Sequence, residues 1–244
     1  MLVPGLFLTA FFFYYETRRA SPLIHMSLLR ILNILISNLV GLLSGTAMFL
    51  LFFGVIYYAE LPAPFGLNLD IVSAGLVLAP ATLVMLIVGP LLGRMTSRYG
   101  PKPVLFMGAL LSALGMLLFV LYRANTTELP IDSAVTFIGI VAIIIPIVNM
   151  ISVSLPSENV AVGLGMNTML RNVGGAIGPV VATTIMTTYT SPMTVTMAGV
   201  SVVVAELPSS FAFNLIFSIG IVLVAAVAVL SLFVRNYTFR KANS

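Results

Sequence analysis

The sequence consists of long apolar runs, and its charged side chains fall in the connections between those runs. Eleven basic and seven acidic residues occur in 244. Their sign alternates along the chain, whose connections hold, in order, Arg18, Arg19 and Arg30; Glu60 and Asp70; Arg94, Arg98 and Lys102; Arg123 with Glu128 and Asp132; Glu158 and Arg171; Glu206; and Arg235, Arg240 and Lys241. A chain that crosses a bilayer back and forth and keeps its cations on the cytoplasmic side has this pattern. The sequence therefore predicts a multi-pass integral membrane protein.

Six of the runs are long enough to cross a membrane as a helix, which takes about 20 residues. Backbone polar groups in lipid must be hydrogen-bonded within the structure, and the period-two alternation of a membrane barrel is absent, so helices are expected. The predicted fold class is all-α integral membrane, a bundle of six transmembrane helices. The predicted spans are 31–58, 71–92, 104–122, 133–153, 164–189 and 211–234, with kinks expected at Pro80, Pro146 and Pro179.

Composition supports this class and indicates an orientation. Apolar residues make up 60% of the chain and charged residues 7%, a ratio at which a soluble fold could not keep its apolar residues from water. The predicted cytoplasmic connections hold ten cations and two acids, a net +8, whereas the outer connections hold one cation and five acids, a net −4. This asymmetry predicts a cell-membrane protein with a cytoplasmic C-terminus, and it gives no reason to expect nucleic acid as a partner.

Residues that carry out chemistry are scarce. The chain has no cysteine and one histidine, His25, which we expect to be solvated or interfacial, with proton handling as the alternative. No paired carboxylates, metal-ligand cluster or nucleophile–base pair is found in the pattern. We therefore predict neither an enzyme nor a bound metal or cofactor.

The first apolar run, residues 1–15, is too short to cross comfortably and ends at a charged stretch that begins with Glu16. We expect it to be the inner end of a truncated helix, with a short re-entrant or interfacial segment as the alternative. The predicted organisation is a helix tail and cytoplasmic linker over 1–30, a six-helix unit over 31–234 and a short cytoplasmic tail over 235–244.

The connection Gly93–Pro103 is the sharpest local motif. Gly93 and Gly100 permit a tight reversal, and prolines fix the start of the next helix. Lys102 lies at the positive end of that helix dipole, which suggests a lipid phosphate or an acidic partner for it. The alternative is a generic cytoplasmic turn.

This connection resembles the signature loop between the second and third helices of each half of major facilitator superfamily transporters. Gly93, Arg98, Gly100 and Lys102 match that loop, whereas Ser97 replaces its usual acid. Three further stretches resemble the fourteen-span drug–proton antiporter branch in the right order, namely Glu16–Leu23, Ser73–Pro80 and Asn167–Pro179.

The resemblance implies the C-terminal half of a proton-coupled multidrug-type efflux transporter, which forms one wall of an alternating-access cavity. Its expected partners are the lipid bilayer, a missing N-terminal transporter half, in cis or as a separate chain, and an amphipathic or hydrophobic small-molecule substrate. The alternatives are a facilitator for a small metabolite and a non-transporting assembly subunit or degenerate remnant. If the chain acts alone, we expect a homodimer.

Polar and small residues inside the runs suggest where such a cavity and its moving helices lie. The candidate lining residues are Asn38, Phe49, Asn149, Asn167 and Arg171, with interhelical hydrogen bonding as the alternative for each asparagine. Arg171 is placed toward the cytoplasmic face, so no ionisable group is expected to be buried, and a proton-carrying carboxylate is expected in the other half. The candidates for helix bending and packing are Pro80, Gly174, Gly178 and Pro179.

Overall fold

A computed structural model of the protein describes residue 14 and residues 27–123, 125–197 and 200–237. The predicted truncated helix over 1–15, apart from Tyr14, most of the linker that follows it, and His25 lie outside the described residues, as do Arg240 and Lys241.

The described chain folds into six long helices, one short helix and one β-hairpin. A single turn of 3-10 helix, Leu28–Arg30, precedes them. The elements are α1 (Leu32–Glu60), α2 (Ile71–Leu76), α3 (Ala79–Tyr99), α4 (Pro101–Leu121), α5 (Glu128–Ser154), α6 (Ser157–Thr188), the strands β1 (Thr190–Met197) and β2 (Val200–Pro208), and α7 (Ser210–Leu232).

The predicted helical membrane fold is confirmed. Five helical segments are long and apolar enough to cross a membrane: α1, α2 together with α3, α4, α5 and α7. The sixth long helix, α6, is not among them, although its 32 residues make it the longest of the described helices. Helix α6 is therefore the segment whose composition fits lipid least well.

The boundaries of two spans differ most from the predicted ones. The predicted span 71–92 is broken between α2 and α3, because Pro80 lies in the first turn of α3 and begins a helix rather than kinking one. The same span continues to Tyr99. The predicted span 164–189 begins at Ser157 instead, so α6 extends seven residues further toward its start.

The β-hairpin was not predicted. β1 and β2 pair antiparallel, with Thr190 opposite Pro208. The sequence signal is a run of β-branched residues over 194–196 and 202–204, which favours strand over helix.

The bundle has two ends, which we name after their connections. The Gly100 end holds the start of α1, the α3–α4 turn and the end of α7. The hairpin end holds the end of α1, the start of α7 and the β-hairpin; the rings of Tyr58 and Phe213 pack there with centroids 5.1 Å apart. Deeper in the bundle, α4 and α7 meet through stacked Phe119 and Phe217 rings, 4.9 Å apart.

The helix contacts follow a pattern of two sets of three. Helix α1 packs against α6 and α7, and α5 packs against α3 and α4. Helices α1, α3 and α4 form one set, and α5, α6 and α7 form the other in the same order. The α1–α6 contact then corresponds to the α5–α3 contact, and the α1–α7 contact to the α5–α4 contact. The α4–α7 contact corresponds to itself. Such internal repeats are common in membrane transporters.

Local signals set the helix ends. Asp70 caps α2, since its Oδ2 accepts hydrogen bonds from the backbone N–H groups of Val72 (3.1 Å) and Ser73 (3.3 Å). Hydrogen bonding from the Ser73 side chain, and then from the backbone of Ser73 and Val72, lowers the pKa of Asp70 below its usual value. Ser209 caps α7 in the same way through Ala212.

Candidate gate loop and cavity wall

The predicted gate connection is almost entirely helical. Helix α3 runs to Tyr99 and α4 begins at Pro101, so Gly100 alone makes the turn. The connection is shorter than the predicted Gly93–Pro103, because the last turns of α3 remain hydrogen-bonded up to the bond from the Gly100 N–H to the Thr96 carbonyl, 2.9 Å.

Glycine is required at position 100 for two reasons. Its φ of 87° is one that side-chain-bearing residues rarely adopt. A Cβ there would also lie 2.6 Å from the backbone oxygen of Tyr237, well inside contact distance. Gly93 has neither constraint, since a Cβ built on it meets no described atom within 4 Å.

Lys102 binds the end of the last helix. Its Nζ donates a hydrogen bond to the carbonyl oxygen of Leu232 (2.6 Å), and its backbone N–H donates to Oδ1 of Asn236 (3.2 Å). The expected partner was a lipid phosphate or an acidic group. The structure supplies a helix C-terminus instead, whose partial negative charge attracts the ammonium group in the same way.

The segment after α7 holds the Gly100 end together. Nδ2 of Asn236 donates to the carbonyl of Tyr99 (3.2 Å). Asn33, in the first turn of α1, exchanges two hydrogen bonds with the backbone of Arg235, at 3.2 and 3.0 Å. Residues 235–237, at the start of the predicted tail, thus join α1 to the α3–α4 turn. Neither Asn33 nor Asn236 was among the predicted site residues, because their partners lie more than 130 positions away.

Arg98, the remaining residue of the predicted gate loop, is exposed. Its guanidinium carbon lies 5.2 Å from the centroid of the Tyr99 ring, a cation–π contact on the outside of the turn. The described residues give Arg98 no other partner, so its charge is free to interact with a further group at the Gly100 end.

Glycines bring α1 and α6 into close contact. A Cβ at Gly178 would lie 2.8 Å from the backbone nitrogen of Leu50 and 2.8 Å from the backbone oxygen of Thr46. Gly174 faces the Leu42 carbonyl at still closer range. The GxxxG spacing therefore packs the two backbones against each other, and Pro179 follows within the same continuous helix.

Two of the candidate lining asparagines are buried, and one of them lies inside this α1–α6 contact. Asn167 is 4% exposed, and its Nδ2 donates to the carbonyl of Ser37 at 2.6 Å, which is the interhelical bond considered as the alternative. Asn38 is 2% exposed, and its Nδ2 donates to the carbonyl of Ile34 at 2.9 Å. Asn167 therefore joins α6 to α1, whereas the bond of Asn38 stays within α1 and its Oδ1 has no hydrogen-bond partner among the described residues.

Arg171 lies deeper than the sequence suggests. Its backbone packs against Gly45, which lies 13 residues after the start of α1 and 15 before its end. The residue is therefore near mid-depth and only partly exposed, rather than at the cytoplasmic face. The prediction erred because it began the span at 164 rather than at Ser157.

An exposed polar stripe runs along α6 beside Phe49. Phe49 packs on Gly175 and is 37% exposed. Residues that recur at helical spacing on the adjoining face of α6 are exposed: Gly165, Thr168, Asn172, Ala176, Thr183 and Thr187. Val173, Ile177 and Val180 form the adjoining exposed face of the same helix, which is mainly apolar and includes exposed Thr184. We call the first set the polar stripe. Asn149, on α5, is partly exposed as well.

Asp132 corrects the expectation that no ionisable group is buried. It lies in the second turn of α5, where it is 5% exposed, and its Oδ2 has no hydrogen-bond partner among the described residues. The predicted span began at 133, one residue later, which left Asp132 in a solvated connection. A buried carboxylate without a partner is costly and is retained mainly where it has a function.

Six long helices packed as a twofold repeat of three, with polar residues exposed along one of them, are typical of multi-pass helical membrane transport proteins. The sequence profile of the Major Facilitator Superfamily matches residues 6–244, and the chain belongs to that superfamily. Members of the superfamily are transporters rather than enzymes.

Several curated proteins are similar to this chain. They include the uncharacterized MFS-type transporter YhcA of Bacillus subtilis (31% identity over 68% of this chain and 29% of YhcA), the lincomycin resistance protein LmrB of Listeria monocytogenes (29% over 67% and 35%) and the multidrug efflux pump LfrA of Mycolicibacterium smegmatis (23% over 87% and 45%). The chain thus spans less than half the length of the curated relatives it matches.

Proposed function

We propose that this chain is the C-terminal half of a proton-coupled, multidrug-type efflux transporter and forms one wall of its alternating-access cavity. The superfamily is that of transporters, and relatives at low identity are named for lincomycin resistance and multidrug efflux. The substrate is an amphipathic or hydrophobic small molecule.

The polar stripe of α6 carries the proposal. Exposed Thr168, Asn172, Thr183 and Thr187 suit lipid tails less well than apolar side chains, and they are among the polar residues that set α6 apart from the five segments apolar enough to cross a membrane. On the other exposed face of α6, Val173, Ile177 and Val180 suit lipid. One face of α6 is mainly polar and the adjoining face mainly apolar. The polar face is therefore expected to contact either water or a second half of the transporter rather than lipid.

The partner that fits this face is an N-terminal transporter half, preceding this chain in cis or supplied as a separate chain. The two halves of a facilitator-type transporter enclose the cavity between them. Residues 1–30 then form the tail of a preceding helix and its linker, and residues 31–234 the C-terminal half.

Charge favours an orientation with the Gly100 end in the cytoplasm of a cell-membrane protein. Described cations concentrate at that end, and described acids at the hairpin end. The former are Arg30, Arg94, Arg98, Lys102 and Arg235; the latter are Glu60, Asp70, Glu128, Asp132 and Glu206. This is the positive-inside pattern, and it supports a cytoplasmic location for the C-terminal tail over 235–244.

Within this assembly the predicted site residues take separate roles. Gly93, Arg98, Gly100 and Lys102 form the cytoplasmic gate, with Gly100 and Lys102 fixed to the segment after α7. Phe49, Asn149 and Arg171 line the cavity. Asn38 and Asn167 support that lining from behind, and the Gly174–Gly178 contact with Pro179 is where α6 moves against α1.

Proton coupling is assigned to Asp132. Its carboxyl group is buried at the hairpin end without a hydrogen bond to one oxygen, so it is suited to alternate between charged and neutral states as the cavity opens. The proton-carrying group need not lie in the other half.

Dye efflux tests the proposal. Cells that co-express the chain with the segment encoded upstream should export ethidium, and Asn172→Leu should slow that export by about threefold or more, because it removes a polar group from the cavity wall. Ile177→Leu, on the lipid-facing side of the same helix, is the matched control and should leave export unchanged. Equal loss in both variants would contradict the assignment of the polar stripe.

Proton coupling has its own control. Asp132→Asn should abolish the acceleration of efflux by an imposed pH gradient, whereas Asp70→Asn, at an exposed helix cap, should preserve it. Export without any response to the gradient would favour a facilitator. Absence of export with every partner tested, together with stable membrane insertion, would favour a non-transporting subunit. Export by the chain alone would instead favour a homodimer.

A further inference from the structure

A cavity of about 250 Å³ opens at the hairpin end between α1, α6 and the base of the β-hairpin. Its wall includes Phe53, Tyr57, Thr183, Thr187, Thr190 and Glu206, and its remaining residues are apolar. We call it the hairpin pocket. It continues the polar stripe of α6, since Thr183 and Thr187 belong to both.

The threonines present acceptors, not donors, to this pocket. The hydroxyl groups of Thr183 and Thr187 donate to the helix carbonyls of Pro179 (2.8 Å) and Thr183 (2.9 Å). The Thr190 hydroxyl donates to Oε2 of Glu206 at 2.9 Å. Because each hydroxyl hydrogen is already used, only oxygen lone pairs remain to face a ligand.

The other groups in the wall add negative potential. Glu206 brings a carboxylate, and the described residues provide no ion-pair partner for it. Phe53 and Tyr57 are 43% and 45% exposed, and an aromatic face attracts cations through its quadrupole.

Among the described residues, the cations nearest to Glu206 form no ion pair with it. The Arg123 guanidinium is bound to Asn214 and, at 2.9 and 2.6 Å, to the carbonyl and hydroxyl oxygens of Ser210. Arg171 lies 12 residues before Thr183 on α6, about 18 Å of helical rise, which is too far for an ion pair with a group at the hairpin end.

From these contacts we infer that the hairpin pocket is a binding subsite for the cationic head of an amphipathic organic cation. Lone pairs, one carboxylate and two aromatic rings complement a quaternary ammonium or phosphonium group, and they would disfavour an anion. At about 250 Å³ the pocket is smaller than a typical drug site of about 300–1,000 Å³. It therefore holds part of a ligand whose remainder extends along the polar stripe.

The place of this subsite on an export route rests on the proposed function, but binding to it does not. Binding is therefore measured on the purified full chain in phosphatidylcholine nanodiscs by equilibrium dialysis, with protein-free discs subtracted. The probe is tetraphenylphosphonium, and tetraphenylborate is the control of the same size and opposite charge.

Glu206→Gln should weaken tetraphenylphosphonium binding by about two- to fivefold, the range for a solvent-accessible charge pair. Tetraphenylborate binding should not weaken. Tyr57→Leu, which keeps apolar contact and removes the ring, should also weaken phosphonium binding by about two- to fivefold. The matched control is Glu60→Gln, which removes another exposed carboxylate at the same end but outside the pocket wall.

Equal weakening by Glu206→Gln and Glu60→Gln would overturn the subsite, because a general surface potential would then explain the binding. Equal effects on the phosphonium and the borate would overturn it as well. Phosphonium binding that depends on Glu206, in a chain that exports no dye with any partner, would refute the proposed function and leave the subsite standing.

Discussion

Replacing Gly178 by alanine is the sharpest probe of how this half is held together. The added methyl group would lie 2.8 Å from two backbone atoms of α1, the nitrogen of Leu50 and the oxygen of Thr46. Backbone atoms within a helix cannot rotate away, so α1 and α6 must separate. Gly165 on the same helix is the matched control, because a methyl group there meets no described atom within 4 Å.

The expected change in the free energy of unfolding is the sum of two opposing terms. Both substitutions replace glycine within a helix, which favours the folded state by about 1 kcal/mol. Gly178→Ala also overpacks the α1–α6 contact, which costs about 1–3 kcal/mol. The difference between the two variants isolates the packing term, and about 1–3 kcal/mol corresponds to roughly 2–12 °C in melting temperature for a chain of this size.

The assay must suit a chain without tryptophan or cysteine, in which intrinsic tryptophan fluorescence and thiol-reactive dyes report nothing. A fluorescent-protein fusion, heated in detergent and analysed by size-exclusion chromatography, gives the fraction that stays monodisperse at each temperature. Gly165→Ala should melt at or above the wild-type temperature and Gly178→Ala clearly below Gly165→Ala. If the two variants melt together, the close α1–α6 contact is not what stabilises the bundle.

Three further predictions concern the Gly100 end. In the same heating assay Gly100→Ala should be less stable by about 1–3 kcal/mol, because its backbone conformation suits glycine alone, while Gly93→Ala should match or exceed wild type; similar losses in both would contradict the structural role of the turn. Asn236→Ala should lose about 1–3 kcal/mol by removing hydrogen bonds to both sides of the turn, and an unchanged melting temperature would count against that contact. Burial raises the pKa of Tyr237 from 10.0 to about 12, so the stability that depends on its neutral phenol should be intact below pH 10 and be lost as pH rises toward 12. Tyr237→Phe should abolish that loss, and a phenolate absorbance titration near pH 10 in the folded protein would refute the burial argument.

The sequence alone determined the membrane class, the order of the helices and the superfamily. Apolar runs of about 20 residues must form hydrogen bonds locally when lipid surrounds them, so each run specifies its own helix. The pattern Gly93, Arg98, Gly100 and Lys102 identified the loop that turns at Gly100. Predicted boundaries failed where polar residues continue a helix beyond its apolar part, as at Tyr99 and Ser157.

The tertiary structure alone decided which faces meet and which remain open. In a membrane bundle lipid and protein core accept the same apolar side chains, so the pattern along a helix does not reveal which side faces which neighbour. The mid-depth position of Arg171, the burial of Asp132 and the Lys102–Leu232 bond depend on contacts between distant parts of the chain. The hairpin pocket arises in the same way, since Phe53, Thr183 and Glu206 become neighbours only when α1, α6 and the hairpin pack together.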